Sequence, residues 1–205
     1  MSQIVQAIRE QRVLGILRSA DARTAVAAGE LLMRAGIRAV EVSLTTPSAL
    51  DAIAQLGTQL PFGCHLGVGT VTTPEQVRDA EAAGAQFVVS PNMDVRVIET
   101  SVELGLTSIP GAGTASEALQ ARSAGADLVK LFPASTWSPG AVKDLLTALP
   151  DLPLVPTGGI GLDEAVRWIR SGAVAVGLGG ALLRGEPEES AARIKDLLAQ
   201  LAEEP

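Results

Sequence analysis

Of the three lysines in this 205-residue chain, only Lys130 falls inside an apolar run, LVKLFP. A lysine between Val129 and Leu131 is seldom buried without a partner. Burial beside apolar walls or other cations would lower its pKa and supply the neutral amine that a nucleophile needs. The plain alternative is a structural ion pair with Glu41, which interrupts a second apolar run, AVEVSL, between Val40 and Val42. A buried carboxylate near an amine can also pass protons through water, so charge balance and catalysis are compatible roles for Glu41. Arg18 ends the run VLGILR, where its planar fork could hold a carboxylate or simply face solvent. Thr70 follows GVG and could offer hydroxyl and N–H to the same carboxylate, or cap a helix. Two glycine pairs, Gly158-Gly159 in TGGIG and Gly179-Gly180 in GLGGALL, let the backbone approach a ligand. Amides so exposed can hold a phosphate; a purely structural turn is the other reading.

These residues sit at the ends of short apolar segments that recur along the whole chain. The eight segments cover 13–18, 39–44, 65–70, 86–91, 107–112, 128–133, 153–158 and 174–179, starting about 21 to 26 residues apart. Between them, 22–35, 74–83, 115–124 and 162–171 space apolar residues three and four apart, as helices do. Thr73-Pro74 and Thr114 supply N-cap signals, and Gly36, Gly84, Gly105, Gly125 and Gly172 supply stops. Strands apolar on both faces and alternating with helices imply a parallel sheet covered on both sides. Eight units in so short a chain favour a single (β/α)₈ TIM barrel domain over residues 1–205. An open doubly wound sheet is the alternative, but no G-x-G-x-x-G opens the first helix. In a barrel the second and sixth strands lie opposite one another, which would face Glu41 and Lys130 across the mouth. The loops after the seventh and eighth strands are where barrels often bind phosphate.

Composition narrows the function classes. The net charge of −7 argues against a nucleic-acid partner, whose phosphates need clustered Lys and Arg. One His and one Cys (His65 and Cys64) are a poor supply for a transition-metal site; an all-carboxylate Mg²⁺ site stays open. The start MSQIVQAIREQ lacks a basic stretch followed by an apolar one, and the longest uncharged apolar run, 173–183, is too short to span a membrane. A cytoplasmic protein with no membrane or nucleic-acid partner is expected. Aromatics are only 2% of the chain, so the core must be built from Ala, Val, Leu and Ile. Cys64, His65 and Trp168 are assigned to packing, and Trp137 either covers the site or meets another subunit.

The motifs GILR, VEVSLTTP, GVGTV, FVVSPN, SIPGAGT, VKLFP, PTGGI and VGLGGALL together resemble the KDPG/KDPGal aldolases. The likeness runs over about residues 5 to 185. It implies a (β/α)₈ class I aldolase, a homotrimer, acting on a phosphorylated keto sugar acid through pyruvate, with no metal or organic cofactor. By the same resemblance Lys130 is the Schiff-base lysine and Glu41 the acid/base. Thr70, Pro91 and Phe132 then contact substrate, and the backbone of Gly158, Gly159, Gly179 and Gly180 holds its phosphate. Thr45 stands where many members carry an arginine for the pyruvate carboxylate, and that role passes to Arg18. Ala181 replaces a serine that often follows the last glycine pair, and the loop ASTWSPG is longer than in some members. A phosphate-binding isomerase or synthase without the imine is the rival reading, since it would share the glycines but not need a buried lysine.

Overall fold

The computed structural model describes residues 1–204. Its strands follow the apolar runs: β1 (Val13–Leu17), β2 (Ala39–Ser43), β3 (His65–Gly69), β4 (Phe87–Val89), β5 (Thr107–Ile109), β6 (Gly111–Ala112), β7 (Val129–Leu131), β8 (Leu154–Pro156) and β9 (Val176–Leu178). The helices are α1 (Gln3–Gln11), α2 (Ala22–Arg34), α3 (Ala49–Gly57), α4 (Pro74–Ala82), α5 (Val95–Glu103), α6 (Ala115–Ser123), α7 (Pro139–Ala148), α8 (Ala165–Arg170) and α9 (Pro187–Ala202). All strand pairs are parallel, and they form a curled sheet in two ladders. One runs β5-β4-β3-β2-β1-β9 and the other β6-β7-β8.

Eight runs thus yield nine strands, because the fifth is cut at Pro110. Proline has no backbone N–H to give to a ladder. Residues before it pair with β4 and residues after it with β7. At the other seam a parallel bridge joins Thr157 to Gly177, and the Val174 amide donates to the Leu154 carbonyl at 3.0 Å.

Local chemistry sets the helix starts. Thr73 and Gln76 form a reciprocal capping box with Pro74 in the first turn of α4, and the Thr114 hydroxyl accepts from the Glu117 amide at the start of α6. Gly36, Gly84, Gly125 and Gly172 all take positive φ beyond their helices, as the stop signals require. Among the described residues no helix is long and apolar enough to cross a membrane.

Strand period two separates two apolar layers. Residues on the convex face pack with the helices in one large cluster that includes Leu17, Val40, Val42, Leu66, Val68 and Val129. On the concave face Leu14, Ala39, Phe87, Ile109, Leu128, Val155 and Ala175 make a second cluster, closed from below by Val5 and Ile8 of α1. Two residues further along their strands, towards the C-terminal ends, the same face carries Ile16, Glu41, Lys130, Thr157 and Gly177. A dry floor therefore lies directly beneath a polar layer.

Glycines in β3 fit these layers together. Gly67 lies beside Phe87 in the register, and a Cβ on Gly67 would sit 2.4 Å from the Phe87 ring. Gly67→Ala should therefore destabilise the fold by about 1–3 kcal/mol, the usual cost of overpacking a core. Urea denaturation reads the loss, and adding Phe87→Leu should recover part of it. An additive double variant would mean that the two side-chain positions do not collide.

Candidate active site

Above the apolar floor, β1, β2, β7, β8 and β9 and the loops that follow them enclose a cavity of about 1100 Å³. Its lining includes Arg18, Glu41, Thr70, Lys130, Phe132, Gly158, Gly159, Gly179 and Gly180. The structure thus gathers into one place nine residues that the sequence singles out from separate runs. Pro91 is the exception. It is half-buried and does not line the cavity; its carbonyl oxygen would be 2.3 Å from a Cβ on Gly111. Strand β6 passes close to the main chain after β4 at this point.

Lys130 and Glu41 face each other. Lys130 Nζ lies 3.9 Å from Glu41 Oε1, with side chains only 8% and 1% exposed. Their backbones are not ladder partners: Lys130 pairs with Gly111 and Val155, and Glu41 with Ile16 and Gly67. Only the curl of the sheet brings the two tips together. The Lys130 ammonium position also lies 5.2 Å from the centre of the Phe132 ring, within cation–π range. Thus Phe132, two residues on along the chain, forms one wall around the amine.

Glu41 is held in space made by a missing side chain. A Cβ on Gly69 would lie 2.6 Å from Glu41 Oε1. Sequence reasoning passed over Gly69, although glycine inside a strand is a signal of close approach. The Glu41 Oε2 atom is buried and has no hydrogen-bond partner. Burial raises the Glu41 pKa above the ordinary carboxylate value, and the charges of Lys130 and Arg18 offset that rise only in part. The environment therefore favours the protonated carboxyl group, with one of its oxygens buried and unpartnered.

A hydroxyl chain flanks this pair. Ser43 Oγ, fully buried, lies 2.8 Å from both Thr45 Oγ1 and Thr70 Oγ1. Thr70 has φ of 65°, a left-handed conformation that a β-branched residue rarely adopts. The strain turns Thr70 at the end of β3 into the cavity, where a hydrogen bond through Ser43 secures it. Thr45, at the position where a resemblance to other sequences would place arginine, is exposed and engaged with Ser43.

The opposite end of the cavity is built from backbone. Gly158 and Gly159 both have positive φ, 97° and 81°. A Cβ on Gly158 would press on the Phe132 ring at 3.1 Å. Across from them, turns at Gly179 and Gly180 are closed by the amides of Leu182 and Leu183. Two arginines that sequence reasoning missed, Arg184 and Arg193, also line the cavity beside this turn. No pattern in the chain marks them, because arginines after a loop and on a helix read as a solvated face.

Known proteins are similar to this chain over most of its length. A family model described as KDPG and KHG aldolase matches residues 4–197. The 2-dehydro-3-deoxy-6-phosphogalactonate aldolase of Escherichia coli (strain K12) is 35% identical over 173 residues, 84% of each chain. The 2-dehydro-3-deoxy-phosphogluconate aldolase of Treponema pallidum (strain Nichols) is 36% identical over 170 residues, 82% of this chain and 80% of its own. Among solved structures, the KDPG aldolase from Legionella pneumophila superposes with a TM-score of 0.84 at 26% identity, covering 98% of each chain. In that crystal, pyruvate was captured at low pH as a covalent carbinolamine intermediate.

The direction of the Glu41 shift gives a test by stability. A carboxyl group whose pKa is raised by folding contributes stability below its unfolded pKa and loses it as pH rises through the folded value. Glu41→Gln keeps the shape but cannot ionise. Its stability relative to the parent protein should therefore improve with rising pH, by about 1.4 kcal/mol per unit of displacement. Urea unfolding at stepped pH measures this, and only the slope counts, so a constant packing cost drops out. A flat difference would mean that Glu41 titrates as in water.

Proposed function

The chain belongs to the KDPG and KHG aldolase family, and from that premise we propose that it is a class I aldolase of 6-phosphorylated 2-keto-3-deoxy sugar acids. The substrate in this reading is 2-keto-3-deoxy-6-phosphogluconate or its galactonate epimer, cleaved to pyruvate and glyceraldehyde 3-phosphate. Cleavage of 4-hydroxy-2-oxoglutarate to pyruvate and glyoxylate accompanies it. The observation that carries the reading is the Lys130 amine, buried 3.9 Å from the Glu41 carboxyl group at the floor of the cavity. The captured carbinolamine of the Legionella relative supports the same chemistry.

Lys130 Nζ attacks the C2 ketone, and the oxygen takes up a proton to give a carbinolamine. Glu41 protonates the departing hydroxyl, water leaves, and a protonated imine remains. The C4 hydroxyl then passes its proton to the Glu41 carboxylate. As the C4 carbonyl forms, the C3–C4 bond breaks and its electron pair moves into the imine, leaving an enamine. Glyceraldehyde 3-phosphate departs, C3 is reprotonated, and water hydrolyses the imine to free pyruvate and Lys130. Covalent catalysis replaces one hard step with several easier ones.

Three further parts complete the proposal. Arg18 holds the pyruvate carboxylate, with Thr70 beside it, a role supported by its place in the cavity near Glu41. The amides at Gly158, Gly159, Gly179 and Gly180 bind the phosphate. The two ladders close as an eight-stranded (β/α)₈ barrel in one domain, for which the bridge at Thr157–Gly177 and the continuity of β5 and β6 through Pro110 speak. The chain assembles as a homotrimer in the cytoplasm; exposed Val95, Val102, Leu104 and Leu119 on and after α5 and on α6 supply apolar surface for such an assembly.

Incubation with pyruvate and borohydride should trap an adduct on Lys130 alone. The other two lysines, Lys143 and Lys195, are exposed. Mass spectrometry of a digest locates the adduct, and Lys130→Ala should abolish trapping and lower turnover at least about 1000-fold while the protein stays folded. An adduct only on Lys143 or Lys195, or full turnover without Lys130, overturns the reading. Turnover of the gluconate and galactonate substrates and of 4-hydroxy-2-oxoglutarate, compared side by side, ranks the three.

Arg18→Ala should raise the KM for pyruvate in the condensation direction by about 10- to 100-fold, the usual loss of a charge-assisted hydrogen bond. Its effect on glyceraldehyde 3-phosphate should be smaller. Equal effects on both would place Arg18 at the phosphate or in a structural role.

A further inference from the structure

Resting on the proposed phosphate site, we infer that Arg184 and Arg193 form a cationic wall that completes it and sets the preference for phosphorylated substrates. The backbone loops supply dipoles but no charge. Among the described residues, the amides of Gly158, Gly159, Gly180 and Ala181 make no hydrogen bond within the protein, so they are available to an anion. No hydroxyl stands next to the second glycine pair, where Ala181 lines the cavity. A phosphate dianion bound there has to find its countercharge in a protein whose net charge is −7. Two carboxylates in the lining, Asp163 and Glu164, would repel it. Glu164 is turned back to accept from the Gly161 amide at 3.1 Å.

Arg184 and Arg193 line this same end of the cavity, next to the Gly179–Gly180 turn. Arg193, on α9, is half-buried and anchored. Its Nη2 donates to the Arg184 carbonyl and lies 3.2 Å from Ser190 Oγ. The buried Ser190 hydroxyl donates to the same carbonyl at 3.0 Å. The guanidinium is thus fixed before any ligand arrives, which limits the ordering cost of binding. Arg184 is exposed, and its guanidinium makes no hydrogen bond to the protein among the described residues. One arginine is held in place and the other is exposed, and a guanidinium fork suits phosphate oxygens.

The test compares Arg184→Met, Arg193→Met and Arg193→Lys with the parent protein. Each is assayed for cleavage of the 6-phosphorylated substrate, for cleavage of the same sugar acid without phosphate, and for borohydride trapping with pyruvate. Each methionine variant should lose about 10- to 100-fold in kcat/KM on the phosphorylated substrate, mostly through KM. Inhibition by inorganic phosphate should weaken in parallel. The non-phosphorylated substrate and the trapping of pyruvate should be unchanged. Arg193→Lys should recover part of the loss by restoring charge without the fork. Arg184→Met guards against a folding artefact, since that side chain holds no other element. If both methionine variants keep the parent's preference for phosphate, or lose both substrates equally, the inference is wrong. Failure of the parent protein to trap pyruvate would instead overturn the aldolase reading itself.

Discussion

The polar layer of this molecule is built around an amine and a carboxyl group taken out of water together. Burying one ionised group is costly unless a partner and further hydrogen bonds repay it. Lys130 and Glu41 meet at 3.9 Å rather than in a tight contact, and Glu41 keeps one oxygen without a partner. The pair is therefore incompletely satisfied by the protein.

That arrangement depends on the layers below it. The floor of Leu14, Phe87, Ile109, Leu128 and Val155, sealed by Ile8 of α1, keeps water from reaching the pair from beneath. The polar layer above it follows from strand periodicity alone, since residues two apart share a face. Glycines then decide which side chains share that face. Phe87 fills the floor over Gly67, and Glu41 occupies the room that Gly69 leaves. Two positions in one strand thus serve packing and chemistry respectively.

Division of labour extends to the two ends of the cavity. Near the pair the cavity is lined by side chains: Arg18, and Thr70 held by Ser43. At the far end it is lined by backbone in conformations open to glycine, at Gly158 and Gly159. An acidic chain can bind an anion in this way because the attraction is local and short-ranged in salt. Net charge and binding preference are then separate properties.

Sequence by itself determined the alternation of strand and helix, the helix caps at Thr73 and Thr114, and the identity of Lys130 and Glu41. Each is a local signal: an apolar period, a hydroxyl before a helix, or a charge where burial forbids one. The glycine pairs were legible for the same reason. Tertiary structure alone decided what lies next to what. It cut the fifth strand at Pro110, where the missing N–H divides the ladder, and brought the main chain at Pro91 against Gly111. It brought Arg193 from α9 to the rim, although its own helix gives no hint of a site. The curl of the sheet set the distance between Lys130 and Glu41, which are 89 positions apart in the chain. Such contacts are made by packing between distant segments, and no local pattern of residue types encodes them.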